Sequence, residues 1–149
     1  MKFRIELPEE EYGAVKDYLV RHGVEIGDEA DYKIMENERY PAFLSARNGK
    51  KESIRLSAGD VIFIEAFGKD IEIHTLEDTY LARERMYQLE ELLNPREFLR
   101  VSKSVIISKK HVKKIRPTLS MKYILTMTGG TLVDVTRSYY NDFRRFFGI

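Results

Sequence analysis

The first part of the chain changes from a strand pattern to a helix pattern. From Lys2 to Leu7 the odd-numbered residues are apolar and the even-numbered ones are charged, which predicts a strand with one covered face. Pro8 then occupies a first helical position, and Glu9–Glu11 place negative charge where the helix dipole is positive. We predict a helix that ends near Gly23, followed by a second strand at Asp31–Met35. The apolar stripe of this helix consists of Tyr12, Val15 and Leu19, with Tyr18 beside it.

Short strands dominate the rest of the chain. The uninterrupted apolar run Val61–Ile64 predicts a strand that is buried on both faces. Gly68-Lys69 breaks the pattern, and alternation resumes at Asp70–Thr75. With strands at Ser53–Leu56 and Thr79–Leu81, two hairpins are the simplest account of this region.

The C-terminal pattern adds two helices and further strands. Apolar spacing between Met86 and Leu93 predicts a short helix that Asn94-Pro95 ends, and a final amphipathic helix is expected over Ser138–Phe147. The glycine pair Gly129-Gly130 predicts a hairpin turn, because glycine adopts positive φ without strain. The strands predicted here are Val105–Ile107, Val112–Thr118, Lys122–Met127 and Thr131–Thr136.

These patterns divide the chain into two parts. The segment Tyr40–Lys51 has a proline, an Asn-Gly pair and paired lysines, so we interpret it as a linker with a boundary near Lys50. Residues 1–49 then form a small strand–helix–strand unit, and residues 50–149 form a mainly β domain. The small unit has little core of its own, so we expect it to pack on the larger domain or on a second copy, with dimerisation or sensing as its role.

Charge is segregated along the chain. The net charge of the 149 residues is only +1, yet residues 1–49 carry seven Lys/Arg and eleven Asp/Glu. Between Arg96 and Lys122 there are nine basic residues and one acid, Glu97. Because positive charge is concentrated around the apolar run Val105–Ile107, the sequence predicts a polyanionic partner, with nucleic acid first.

Composition excludes several other classes. There is no cysteine, so disulfides and thiolate chemistry are excluded. No apolar stretch is long enough to span a bilayer and no secretory signal is evident, so we expect a cytoplasmic protein. His22, His74 and His111 are far apart in the sequence, and we predict no metal site. No phosphate-binding loop or nucleophile motif is present, so we expect no enzyme activity, no cofactor and no small-molecule substrate.

Four segments in order resemble the LytTR family of bacterial DNA-binding domains. They are Asp60–Glu65 with Gly68-Lys69, then Met86–Leu93, then Phe98–Ile107, and Gly130–Tyr139. The resemblance implies a mainly β, elongated domain of three small antiparallel sheets with short helices. It also implies loops that enter successive major grooves of duplex DNA, a homodimer on repeated promoter elements, and bending of the DNA.

The family resemblance also bears on control and on partners. The 49 residues before the matching segment are too few for a response-regulator receiver domain, so we expect no control by aspartyl phosphorylation on this chain. By family analogy alone, a small membrane protein is a further candidate partner.

The resemblance assigns candidate DNA-contacting residues. Lys103, in the knuckle Ser102-Lys103-Ser104, and Arg137 match base-reading positions, and Lys69 lies in the remaining contact loop. Ser102 stands where the family usually has His, and Ser108 where Asn is common, which leaves the bases that are read open. From their charge, Lys109 and Lys110 are expected to contact phosphates.

Each assignment has an ordinary structural alternative. For Lys103 the alternative to base readout is a phosphate contact, and for Lys69 the alternative to a phosphate contact is a solvated loop lysine. For Arg137 the alternative is a cap or an ion pair near the last helix. Ser102 and Ser104 are as well suited to closing a turn as to binding a phosphate. The rival function is a β-rich ligand- or protein-binding module whose basic strip binds an acidic protein, and RNA binding is a weaker third.

Overall fold

The structure is a computed structural model that describes residues 1–37 and 40–149. The chain forms two compact units, Met1–Arg39 and Tyr40–Ile149. In the described part of the chain, no helix combines the length and the hydropathy that a membrane span requires.

The smaller unit is a three-stranded parallel sheet with one helix. It consists of β1 (Lys2–Glu6), α1 (Glu9–Arg21), β2 (Glu25–Ile26) and β3 (Tyr32–Met35), with β1 in the middle. Parallel neighbours need a crossover, and α1 supplies the one between β1 and β2. The predicted strand–helix–strand order is therefore observed, with the two-residue strand β2 added.

Helix α1 ends where the glycine pattern predicted. Gly23 follows the last helical turn with φ +77°, a left-handed conformation that glycine adopts without strain. Its amide donates to the carbonyl of Val20 at 3.1 Å, and the amide of Val24 donates to that of Leu19 at 3.0 Å. This pair of bonds is a Schellman motif, which satisfies carbonyls that the helix leaves without partners.

The larger unit contains ten strands and two helices. They are β4 (Phe43–Arg47), β5 (Ser53–Ser57), β6 (Phe63–Phe67), β7 (Asp70–His74), β8 (Thr79–Ala82), α2 (Met86–Leu92), β9 (Phe98–Arg100), β10 (Val105–Ser108), β11 (Val112–Pro117), β12 (Tyr123–Met127), β13 (Leu132–Val135) and α3 (Tyr140–Phe147). Every strand pair in this unit is antiparallel. The prediction of a mainly β domain with antiparallel sheets and short helices is confirmed.

The strands of the larger unit form two hydrogen-bonded sheets. Seven strands have the order β5-β4-β8-β7-β6-β10-β9, and a second sheet has the order β11-β12-β13. The resemblance implied three small sheets, whereas the larger unit has two. The difference arises because β6 pairs with both β7 and β10, which joins these strands into one continuous sheet.

Two apolar cores lie on opposite faces of the large sheet. Val61 and Ile64 pack in one core with α2, and Ile62 and Phe63 pack in the other with the β11-β12-β13 sheet and α3. All four of these residues are buried, as their uninterrupted apolar run predicted. Phe143 of α3 is fully buried in the second core.

The segment predicted to be a linker contains a strand. β4 lies inside Tyr40–Lys51 and pairs with β5 and β8, so the division between the units falls after residue 39 and not near Lys50. Asn48 and Gly49 belong to the turn between β4 and β5, where the Asn48 side-chain oxygen accepts from the amides of Lys50 and Glu52. The turn signal was real, and the linker interpretation was wrong for the five residues before it.

Candidate nucleic-acid interface

Strand β10 separates the two basic segments of the sequence. Its four residues are buried, with Ser102-Lys103-Ser104 before it and Lys109-Lys110 after it. At about 3.3 Å per residue, the two segments lie roughly 15 Å apart along the strand. The candidate residues therefore belong to opposite ends of the large sheet.

The turn that carries Lys69 lies at the same end as the knuckle. β6 runs antiparallel to β10, with Glu65 opposite Val105, and the amide of Ala66 donates to the carbonyl of Ser104 at 2.8 Å. β6 continues past this point into the two-residue turn Gly68-Lys69. Gly68 has φ +61°, the positive value that a tight hairpin turn of this length requires at its first position.

Arg137 is brought to this end by the second sheet. Thr136, the residue after β13, donates its amide to the carbonyl of Val101 at 3.0 Å, directly before the knuckle. Arg137 then begins a single 3-10 turn that leads into α3. Lys69, Lys103 and Arg137 thus project from three loops at one end of the domain, which we call the three-loop end.

The three cationic side chains at this end are exposed. Lys69, Lys103 and Arg137 lie on the surface. Within residues 1–37 and 40–149, the structure gives none of them an ion pair or a side-chain hydrogen bond. In the described part of the chain, the Arg137 side chain therefore neither caps the last helix nor forms an ion pair with it.

The two serines of the knuckle contact each other, with 3.3 Å between their hydroxyl oxygens. Ser102 is only 8% exposed, and its hydroxyl oxygen accepts from the amide of Ser104 at 3.2 Å. The amide of Val101 donates to the carbonyl of Val105 at 2.9 Å and closes the loop. Ser102 therefore closes the turn, which is one of the two roles that the sequence analysis considered for it. Lys103 lies at the tip of the turn.

Arg100 holds the knuckle in place, and sequence reasoning missed it. Its guanidinium donates to the carbonyl of Ser102 at 3.1 Å and also to the carbonyl of Lys103. The same group pairs with a carboxylate oxygen of Glu90, from α2, at 2.5 Å. The sequence carries no signal for this contact, since it depends on the packing of α2 beside β9.

Phe67 was also missed at the three-loop end. This side chain is 69% exposed, at the last position of β6 beside the Gly68-Lys69 turn. Alternation along β6 places it on the same face as the buried Phe63, which predicts a core residue. It is exposed because the hairpin extends beyond the neighbouring strand β10.

At the opposite end, Lys109 and Lys110 contact the domain itself. The Lys109 ammonium lies 5.0 Å from the ring centroid of Phe146 on α3. The Nζ atom of Lys110 packs against Gly59, since a Cβ atom added to Gly59 would lie 2.8 Å from this Nζ. Both residues are exposed and line a cavity of about 230 Å³, whose other lining residues are Arg96, Glu97, Phe98 and Ser108.

His111, beside these lysines, has a structural role. Its Nε2 lies 2.9 Å from the Gly59 carbonyl, which only accepts, so Nε2 carries a proton. Its Nδ1 lies 3.0 Å from the hydroxyl of Thr128. Both ring nitrogens are therefore occupied by contacts within the domain.

The remaining lysines of the basic tract lie on an edge strand. β11 is an edge strand of the sheet β11-β12-β13, and Lys113, Lys114 and Arg116 are all exposed. Charged side chains on an edge strand discourage pairing with other chains, so this tract has a structural use besides any contact with phosphate.

Comparison with known proteins gives the class of this domain. Residues 51–148 match the family model described as the LytTr DNA-binding domain. The chain also superimposes on the solved structure of a LytTr DNA-binding domain from Bacillus cereus with a TM-score of 0.69 and 26% identity, covering 73% of this chain and 99% of that one. The chain belongs to the LytTR family of DNA-binding domains, and the resemblance found in the sequence is confirmed.

Two longer proteins are among its relatives. The transcriptional regulatory protein LytR of Staphylococcus aureus is 34% identical over 77 residues, which cover 52% of this chain and 31% of LytR. The sensory transduction protein LytT of Bacillus anthracis is 28% identical over 100 residues, covering 66% of this chain and 41% of LytT. The chain thus matches well under half the length of these relatives.

Proposed function

We propose that this chain is a cytoplasmic, sequence-specific regulator of transcription that binds duplex DNA through its three-loop end. The observation that carries the proposal is the convergence of Lys69, Lys103 and Arg137 from three separate loops, each with a cationic group free for a ligand. An exposed cation without a partner is available for phosphates or base edges, whereas one already paired must first give up its contact.

Within this interface we assign different roles to the three cations. Arg137 donates bidentately to guanine O6 and N7 in a major groove, because its planar fork matches that pair of acceptors. Lys103 projects from the knuckle beside it and contacts either a base edge or a phosphate. Lys69 contacts phosphate from the β6–β7 turn.

Lys109 and Lys110 contribute a less specific attraction in this proposal. A major groove is about 12 Å wide, so residues roughly 15 Å away along β10 fall outside the groove that the knuckle enters. Their charge acts on the neighbouring backbone, and their contacts with Phe146 and Gly59 hold them in place.

We further propose that the protein acts as a homodimer on two repeated promoter elements, with the small N-terminal unit as the dimerisation or sensing element. Helix α1 has no buried residue, and Tyr18 and Val20 are 62% and 53% exposed, so this unit has apolar surface available for a partner. Light scattering of the chain, alone and with a two-element DNA, tests this. A monomer mass in both cases removes the dimer.

Selection of genomic fragments with the purified chain tests DNA binding, followed by titration of a selected fragment with variants. Arg137→Ala is expected to cost about 1–3 kcal/mol of discrimination between the selected site and a scrambled one. Lys50→Ala, which removes the same charge from the exposed β4–β5 turn, is the matched control and is expected to retain selectivity. Absence of any retained fragment at low salt would instead favour an acidic protein as the partner.

A further inference from the structure

Two carboxylates and an imidazole lie together on one face of the large sheet. Glu65 of β6 is directly opposite Glu72 of β7, and His74 follows Glu72 by two residues on the same face. One ligand atom from each of the three side chains lies within 4.8 Å of the others. The sequence predicted no metal site because only the histidines were compared, and no register was assigned between β6 and β7.

The imidazole of His74 is held in a fixed orientation. Its ring stacks on Phe63 with 4.2 Å between centroids and an interplanar angle of 14°. Its Nδ1 lies 3.2 Å from the hydroxyl of Thr79 on the neighbouring strand. Metal-ligating histidines are commonly oriented in this way, by a hydrogen bond to the ring nitrogen that does not bind the metal.

The other ring nitrogen of His74 is aimed at the carboxylates. Nε2 is shielded from solvent and makes no hydrogen bond of acceptable geometry, although Glu72 Oε2 lies 3.2 Å away. The position suits an ion pair or a shared cation better than it suits an ordinary hydrogen bond. A buried nitrogen without a hydrogen bond costs free energy unless a further group satisfies it.

Apart from the imidazole of His74, the two carboxylates have no basic side chain beside them in the described part of the chain. Like charges directly opposite each other in a sheet repel, and both groups are partly buried. Across residues 1–37 and 40–149, no lysine or arginine pairs with either of them. One divalent cation between them removes the repulsion and satisfies His74 at once.

We propose that Glu65, Glu72 and His74 form a binding site for one divalent transition-metal ion, with Zn²⁺ the best fit. One imidazole and two carboxylates are ligand types that zinc takes, with a fourth position left to water. Donor atoms around tetrahedral zinc lie about 3.4 Å apart, so the distances between the three ligand atoms must shorten by roughly 1 Å on binding. Rotation of the flexible Glu65 side chain permits this. Mg²⁺ and Ca²⁺ prefer ligand sets made only of oxygen, and the imidazole disfavours them.

The position of the site gives the ion a mechanical effect. Its ligands bridge β6 and β7, the two strands whose turn carries Lys69, so a bound ion cross-links the hairpin close to the three-loop end. The metal site does not depend on DNA binding and stands if the proposed function fails.

The test is titration of the metal-stripped, tag-free full chain with ZnCl₂, and with MgCl₂ in parallel, by calorimetry and thermal unfolding. We expect one Zn²⁺ per chain, a rise in the unfolding midpoint of roughly 5 °C at saturation, and no response to Mg²⁺. Glu65→Gln is expected to weaken zinc binding at least about 10-fold. In the metal-free state the same variant should unfold at an equal or higher temperature, because it removes the repulsion between carboxylates.

His74→Gln should also lose the zinc response, and His22→Ala, which removes an exposed histidine from the other unit, should keep it. Absence of zinc binding by the native chain overturns the proposal. So does unchanged affinity in both Glu65→Gln and His74→Gln, or loss of the response in His22→Ala, because zinc would then bind elsewhere.

Discussion

The backbone amide of Thr136 donates to the carbonyl of Val101 at 3.0 Å, and the Thr136 hydroxyl reaches the same oxygen at 3.4 Å. These two residues are 35 positions apart in the sequence. Each stands next to a loop with an exposed cation, Arg137 on one side and the Lys103 knuckle on the other. This contact joins the two sheets of the domain where its candidate base-reading residues meet.

Removal of the Arg100 side chain should disorder the knuckle without unfolding the domain. Arg100→Ala loses the bonds to the carbonyls of Ser102 and Lys103 and leaves Glu90 without its partner. We expect DNA affinity to fall by about as much as in Lys103→Ala, since the lysine is no longer held. Fluorescence anisotropy measures the affinity, and circular dichroism checks the fold.

Glu90→Gln provides the control for this prediction. It removes the charge of the partner and keeps both carbonyl contacts of Arg100, so affinity should remain near that of the native chain. Native affinity in Arg100→Ala would show that Lys103 needs no support from β9.

Lys109→Ala should change the salt dependence of binding more than its selectivity. If Lys109 neutralises one phosphate, the slope of log K against log salt becomes less steep by about 0.9. Discrimination between the specific and scrambled sites should stay within error. Anisotropy titrations between low and moderate salt measure both quantities. An unchanged slope would show that Lys109 neutralises no phosphate and serves only its contact with Phe146.

Phe143→Ala should destabilise the larger unit strongly. Phe143 is fully buried and lies 4.9 Å from the ring of Tyr123 and 4.7 Å from that of Phe147, centroid to centroid. Loss of a buried aromatic ring leaves a cavity and costs about 3–5 kcal/mol. Urea unfolding measures the change. Tyr87→Ala, at a residue that is 62% exposed, should change the free energy of unfolding by less than about 0.5 kcal/mol.

Tyr123 should make the domain less stable at high pH. Burial raises the pKa of its phenol above the ordinary value of 10.0, and a hydrogen bond with Tyr140 raises it further. The unfolded chain therefore loses this proton at lower pH than the folded one. The contribution to stability is present below pH 10 and is lost as the pH rises through the folded pKa. Urea unfolding between pH 8 and about pH 11 should show a smaller decline in Tyr123→Phe than in the native chain.

Local pattern alone predicted most of the elements in the larger unit. The run Val61–Ile64 is buried on both faces, and the strands around Gly129-Gly130 form the expected hairpin. Such patterns are reliable because a side chain's direction in a strand follows from its position along the chain. The four ordered segments were enough to identify the family, and they placed Lys103 and Arg137 as candidates.

The sequence pattern did not predict the short strands that lie next to strong turn signals or have only two or three residues. β4 was interpreted as a linker because Pro41, Asn48 and Gly49 surround five residues whose alternation is brief. β2 and β9 have two and three residues, which is too short for periodicity to show. These strands exist because neighbouring strands supply hydrogen-bond partners, and a local pattern contains no information about such partners.

The sequence by itself determined the order of the main elements, the segregation of positive charge and the family. The tertiary structure decided which side chains meet. The register of β6 with β7 places Glu65 opposite Glu72, and packing of α2 beside β9 places Glu90 on Arg100. The physical reason is that periodicity is a property of one segment, whereas register and packing are set between segments. The proposed metal site depends on the register of one hairpin, and the three-loop end depends on the contact between Thr136 and Val101, which are 35 positions apart.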